Sequence, residues 1–335
     1  MYATSDFLST FLLESLSKLP QLPKIIAVAV SGGIDSSTLA IVSKHVADKL
    51  NIDMVIFHVN HGLQEKSDYW ANNVHLLAKI LNVEIYEKKV FVNLNQSKGM
   101  EGSARIARYR AFKELSESMG IKYILLAHHL NDQAETVLLR LLRGSGVKGM
   151  VGMRPLSRVD SVFYIRPWLK VDKKLIELEN KKFSLEKSWF PVDDPTNKDP
   201  LFSRGVVRLF LEPVLDKYWP QWKKTFSRHA MHMFDADLLL DNIAHNDLNE
   251  MDFNSIDFSF SLMRWRELEP KSRQVHVLRY WFFMNGLKMP SQARLDEIYK
   301  QLKHLHALGY DRRMKVQHDG HFVLCDKGRV YIKAN

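Results

Sequence analysis

In the first half of the chain, short apolar runs alternate with stretches whose apolar residues recur at helical spacing. The runs Ile25–Val30, Met54–Val59, Val83–Lys89 and Tyr123–Ala127 are too short and too branched for helices, so they read as strands. Between them Ser36–Leu50, Ser67–Leu81 and Glu101–Gly120 read as helices, and a further helix over Gln133–Arg143 stops at Gly144. Strands buried on both faces and joined by helical crossovers form a doubly wound parallel sheet, which makes the first domain α/β.

From Arg154 to Pro200 the pattern is mixed, with "IRPWL" read as a short edge strand and "DDPTNKDP" as a loop dense in turn formers. A helix resumes over Leu201–Leu215, and a long one starting at Tyr218 leaves the first domain. The expected division is therefore a catalytic domain over 1–217 and a linker helix with a smaller α+β domain over 218–335. In the latter, helices are expected at Ser272–Met284 and Gln292–Leu305, followed by strand-like pieces near Lys315, Phe322 and Val330.

Composition narrows the class. The chain has 335 residues and 46% hydrophobic content, enough for more than one core. No window has the length of a membrane-spanning helix, and the N-terminal stretch carries Asp6 and Glu14 where a secretory signal would be basic, so a cytoplasmic protein is expected. The single cysteine, Cys325, excludes an intramolecular disulfide and reads as a small buried residue in the strand-like "HFVLCD". The formal charge is +10, spread over both halves, which points to a polyanionic partner without naming it. Asp235 to Asp252 holds no Lys or Arg, whereas Arg312, Arg313 and Lys315 concentrate positive charge.

The stretch "VAVSGGIDSS", Val28 to Ser37, carries the chemistry. A strand that ends in Ser31-Gly32-Gly33 and enters a helix through Ile34, Asp35, Ser36 and Ser37 gathers backbone N–H groups and a helix N-terminus at one point, which attracts phosphate. The lysine of the G-x-x-x-x-G-K-[ST] nucleotide loop is missing. A tight turn capped by serines would account for Gly-Gly and Ser, but it leaves Asp35 without a reason; an acid in an anion site makes sense with a metal ion between it and the phosphates.

"SGGIDSS" resembles the pyrophosphate-binding loop of the N-type ATP pyrophosphatases, an adenine nucleotide alpha hydrolase-like fold. Within that superfamily "HVNHGL" (58–63), "GMEGSARIARYRAF" (99–112), "AHHLNDQAETVLLRLLRGSG" (127–146), "DDPTNKDPLFSRGVVR" (193–208) and "MPSQARLDEIYKQL" (289–302) resemble the tRNA(Ile)-lysidine synthetase family. The resemblance implies a two-step ligase in which ATP adenylates O2 of the wobble cytidine of an isoleucine tRNA with a CAU anticodon, and free lysine then displaces AMP at C2. ATP would lie on Ser31 to Ser37 with Mg²⁺ at Asp35, Arg108 would face the α-phosphate, and His128 would orient Arg108 or assist proton transfer. Asp132 and Glu135, three apart at a helix start, would converge on one lysine ammonium. His129 is assigned mainly to packing, because adjacent residues on an extended segment face opposite ways. Arg105 reads equally as a solvated charge or a functional one, and "HVNHGL" as a wall of the adenine site working mostly through backbone. Arg143, Arg204 and Arg208 would serve the anticodon loop, since the cytidine must be unstacked before its O2 is reachable.

Three positions depart from the family pattern: Asn60 and Asn131 stand where acids are usual, and Gly205 where an asparagine is usual. The chain also ends at Asn335 without the additional C-terminal domain of many relatives, an expected short form. The resemblance further implies a homodimer. The rival readings are a tRNA thiolase or an amidating synthetase of the same superfamily, and a catalytically inactive RNA-binding relative. The lone Cys325, far from every motif, argues against the thiolase.

Overall fold

The computed structural model describes residues 4–62, 67–90, 99–193, 199–305 and 314–335. Residues 194–198 of the "DDPTNKDP" loop, Leu63, Arg312 and Arg313 lie outside the described residues. The chain forms two compact units, Met1–Met233 and Phe234–Asn335.

The first unit is built on a six-stranded sheet of order β3-β2-β1-β4-β6-β5, formed by β1 (Ile25–Ala29), β2 (Asp53–Asn60), β3 (Glu84–Lys89), β4 (Tyr123–Leu125), β5 (Leu156–Val159) and β6 (Val162–Ile165). All pairs are parallel except β5 with β6. The "IRPWL" segment is therefore not an edge strand: the strand is the preceding Val162–Ile165, it is internal, and antiparallel β5 takes the edge.

The helices of this unit are α1 (Thr4–Ser17), α2 (Ile34–Leu50), α3 (Ser67–Leu81), α4 (Gly99–Met119), α5 (Leu130–Leu142), α6 (Val147–Met150), α7 (Lys173–Lys187), α8 (Ser203–Val206) and α9 (Glu212–Tyr218), with a π-helical turn at Val207–Leu211 between the last two. Strand side chains alternate between two cores. Ile26 and Val28 of β1 enter one with Leu12, Leu39, Leu77 and Trp168, and Ala27 enters the other with Phe57, Phe112 and Tyr164. Both faces of the sheet are thus dry, as its branched, uninterrupted strands require.

A long helix, α10 (Trp222–Glu250), follows. Its first turns belong to the first unit, where Phe226, Ala230 and Met233 pack with Val137 and Met150. The compact units accordingly divide at Met233/Phe234, within this helix, whereas the expected boundary at Lys217 precedes it. The second unit continues with α11 (Leu262–Glu267), α12 (Lys271–Met284) and α13 (Gln292–His304). They pack on an antiparallel sheet of order β7-β10-β9-β8, made from Phe260–Ser261 (β7), Met314–His318 (β8), His321–Asp326 (β9) and Arg329–Ala334 (β10). Its core holds Trp265, Trp281, Phe260 and Phe282. Cys325 lies in it, with burial raising its thiol pKa to about 11, consistent with a packing role. Among the described residues no helix is long and apolar enough to cross a membrane.

Candidate functional site

Strand order reverses between β1 and β4, and this switch point is where open α/β sheets bind ligands. Ala27 is in register with Ile124 and Val28 with Leu125, so the segments that follow, residues 31–33 and 128–129, emerge side by side.

The turn after β1 is shaped by Gly32, whose φ is +94° and whose carbonyl accepts from the Val192 N–H at 3.0 Å. A Cβ on Gly32 would lie 3.1 Å from Val192 Cγ2 and 3.2 Å from Val74 Cγ2, so backbone strain and space both favour glycine. Gly33 is the N-cap of α2, yet no side chain caps that helix. Instead Ser31 and Ser36 bind each other across the turn: their hydroxyls are 3.1 Å apart and the Ser31 N–H donates to Ser36 Oγ at 3.1 Å. Of the three serines expected at the phosphates, Ser31 and Ser36 are on the turn, while Ser37 is fully buried with its hydroxyl turned inward and without a hydrogen-bond partner.

Asp35 sits in the first turn of α2. Its Oδ2 is 3.5 Å from His129 Nε2, and its Oδ1 is buried without a partner. A single carboxylate oxygen left over beside a helix N-terminus fits a Mg²⁺ ion that draws its remaining ligands from phosphates and water. Among the described residues no cluster of three or more metal-ligating side chains exists, so an all-protein metal cage is not built here.

His129 is the N-cap of α5 and is 2% exposed. Its Nδ1 accepts from the Asp132 N–H at 3.4 Å and the His129 N–H donates to Asp132 Oδ2 at 3.1 Å, a reciprocal capping box. Burial opposes the charged ring, but Asp132 and Asp35 outweigh it and raise its pKa above the ordinary histidine value. The packing role expected for His129 is therefore corrected: both ring nitrogens are engaged with site residues. His128 has the opposite character. Burial pushes its pKa down to about 3, helped by Arg166, Arg105 and Arg204 against Asp132, and its buried Nδ1 has no partner. An imidazole that stays neutral to that pH is a weak base, better suited to hydrogen bonding than to taking up a proton.

The histidine that Arg108 meets is His61 and not the expected His128: its Nε donates to His61 Nε2 at 3.3 Å. Burial first, and the Arg108 charge second, lower the His61 pKa to about 4, so His61 is a neutral acceptor. The "HVNHGL" segment thus contributes a side chain as well as backbone. Another of its side chains is structural: His58 Nδ1 lies 2.7 Å from the Val30 carbonyl oxygen. Asn60 donates its amide to Asp68 and Glu87 at 3.3 and 3.4 Å and accepts from the Gly62 N–H. An aspartate there would face two acids, which accounts for the amide.

Asp132 and Glu135 are brought together as the spacing predicts, and a cation already spans them. Arg208 Nε donates to Glu135 Oε1 at 2.7 Å, and its Nη2 lies 3.0 Å from Glu135 Oε2 and 3.3 Å from Asp132 Oδ1. Arg208 is thus turned inward, in place of the tRNA-facing position expected for it. The π-helical turn that contains it shifts the register of the following residues by adding one residue to the turn. Arg204 Nη2 lies 3.4 Å from Thr136 Oγ1 on α5, and Arg143 is exposed at the C-cap of the same helix. Gly205 also has a local reason: a Cβ would fall 1.9 Å from the Asp199 carbonyl oxygen, so no asparagine fits this path of the chain. Asn131 keeps its Oδ1 buried and unpartnered, and it lines a cavity of about 480 Å³ between the starts of α5 and α7 and helix α9. Arg105 and Arg166 both donate to the Tyr109 hydroxyl at 3.3 Å, which gives Arg105 a fixed place beside the site.

The family described as a PP-loop domain matches residues 9–215, and the one described as a TilS substrate binding domain matches residues 260–331. Proteins named tRNA(Ile)-lysidine synthase from Bordetella parapertussis and Bordetella pertussis are 45% and 44% identical over 318 residues, 95% of this chain and 92% and 98% of theirs. One of the same name from Coxiella burnetii is 34% identical over 272 residues, 81% of this chain and 58% of its own length. Among solved structures, the U34-tRNA thiolase NcsA from Methanococcus maripaludis superposes with a TM-score of 0.57 at 18% identity, over 69% of this chain and 80% of that one, which supports the fold alone. The matching PP-loop domain and identity across nearly the whole length of relatives together establish that the chain belongs to the tRNA(Ile)-lysidine synthase family.

Proposed function

We propose that the protein ligates free lysine to C2 of the wobble cytidine of a tRNA(Ile) with a CAU anticodon, a cytoplasmic tRNA-modifying ligase reaction. In the first step cytidine O2 attacks the α-phosphorus of ATP, the bond to the β-phosphate oxygen breaks and pyrophosphate leaves. In the second a lysine amine attacks C2 of the adenylated base and AMP leaves with O2, so each oxygen and phosphate is accounted for.

The residues divide the work between the two steps. The open N–H groups at the start of α2 and the Ser36 hydroxyl face the phosphates, and Arg108, held by His61, faces the α-phosphate. Mg²⁺, held by the spare Asp35 oxygen, would supply charge neutralisation on the phosphates. His128, neutral and unpartnered at Nδ1, is placed to bind the base or the amine.

The observation that carries the lysine reading is the pair Asp132 and Glu135, already arranged around one cationic head group. Buried carboxylates select a cation because leaving either of them unpaired is costly. Arg208 supplies that cation here, so a lysine ammonium would join or displace it. Arg143 and Arg204 are the proposed contacts to the anticodon loop.

Incubating unmodified isoleucine tRNA with the protein, ATP, Mg²⁺ and lysine, then weighing the anticodon nucleosides, tests this reading. The wobble cytidine should gain one lysine less one water, and only when ATP and lysine are both present. An unchanged cytidine at saturating substrate would overturn the assignment.

A further inference from the structure

His129 stands between the two halves of the site. It follows β4, next to the turn after β1, and is almost wholly buried. As a helix cap it needs only Nδ1, which accepts from the Asp132 N–H. Serine, threonine, asparagine and aspartate perform that task with a shorter side chain and are the usual choices. What the imidazole adds is a second nitrogen on the far side of the ring. That nitrogen, Nε2, lies 3.5 Å from Asp35 Oδ2 and 3.4 Å from Asp132 Oδ2.

The consequences differ for the two acids. Asp35, engaged through Oδ2, leaves Oδ1 as the oxygen with no protein partner. Asp132, engaged through Oδ2, leaves Oδ1 toward the cation site, where it meets Arg208. One rigid ring therefore fixes which oxygen of each carboxylate is taken up and which is left over. A shift in either acid is passed to the other through a ring held on both sides.

We propose that His129 is a positioning residue that couples the ATP loop to the cation pocket, holding Asp35 and Asp132 in register for the two steps. This rests on the lysidine-forming reading above and adds a residue to it.

Two substitutions separate the roles of the two nitrogens. His129→Asn places an amide oxygen near the position of Nδ1 and keeps the cap while losing the reach to Asp35. His129→Gln places its terminal amide near the position of Nε2 and keeps the reach while losing the cap. If the coupling holds, His129→Asn melts close to the wild-type temperature, yet the KM for ATP in tRNA-dependent pyrophosphate release and the KM for lysine in lysidine formation both rise about tenfold. His129→Gln melts lower but, assayed below its melting temperature, keeps both KM values within about threefold of wild type. Wild-type KM values in His129→Asn would reduce His129 to a cap, and a rise confined to one substrate would remove the coupling. If His129→Asn does not fold, tenfold higher KM values in His129→Gln would overturn the proposal equally. Absence of lysidine formation in the unsubstituted protein would count against the reaction assigned above, and is read separately in the same assay.

Discussion

Helices α2 and α5 begin side by side, linked by Asp35 and His129, yet their first turns are finished in opposite ways. The N-terminus of α5 is closed by a reciprocal capping box between His129 and Asp132. That of α2 has glycine at the cap and no capping side chain, the Gly33 N–H alone meeting Ser31 Oγ at 3.4 Å. Relative to glycine, a side-chain cap contributes only roughly a few tenths of a kcal/mol, so α2 leaves its end bare at little cost. In the proposed function the bare end is an anion site made of backbone. The capped end is a cation site made of side chains, because its cap supplies one of the two acids that hold Arg208. On that reading two helix ends of the same polarity serve opposite charges, and what differs is whether a side chain has already answered the dipole.

The largest effect is expected where the bare end depends on backbone conformation. Gly32→Ala forces a Cβ into the left-handed region at φ +94° and against Val192 and Val74, so the turn must move. ATP-dependent pyrophosphate release should fall on the order of a hundredfold, as when donors to a developing charge are misplaced. Binding of tRNA, measured by filter retention, should change little. A variant that kept its pyrophosphate rate would show that the α2 end does not hold the phosphates.

The capped end is broken through its acids. Glu135→Gln takes away the carboxylate that Arg208 meets most closely, in a place where Glu135 is almost fully buried. Urea melts should show a loss on the order of 3 kcal/mol, and the KM for lysine should rise roughly tenfold while that for ATP stays put. Equal changes in both constants would mean that the two ends are not separate sites.

How far this contrast was legible in the sequence varies by element. The strands β1 to β4 and helices α2 to α5 were readable because branched apolar runs and helical spacing leave little choice. Helix α7 was not, since its buried face includes Glu179, Asn180 and Ser184, and a polar buried stripe carries no apolar period. The N-terminal helix α1 was weighed only as a targeting segment. The turn between β1 and α2 was legible because glycine types report the backbone they need. His129 was misjudged for a specific reason: β4 ends at Leu125, so the alternation of an extended strand does not reach residues 128 and 129. Arg208 was misdirected by the π-helical turn, which no composition or spacing rule announces.

The smallest expected effect tests whether the bare end has side-chain support after all, through His61 and Arg108. Burial and the Arg108 charge lower the His61 pKa from 6.5 to about 4, so the fold holds the neutral ring. A base whose pKa is depressed contributes stability that is whole above pH 6.5 and is lost as the pH falls through about 4. Protonation also removes the acceptor that Arg108 Nε uses, which loosens Arg108 at that contact. Glutamine accepts the same N–H and does not titrate in this range. Pyrophosphate release by the native protein should hold from pH 7 to about 5 and then decline, while His61→Gln should start within about threefold of it and show a shallower acid limb. Parallel acid limbs would show that Arg108 does not depend on His61 for its place, and the side-chain support proposed for the bare end would then lie elsewhere than in this pair.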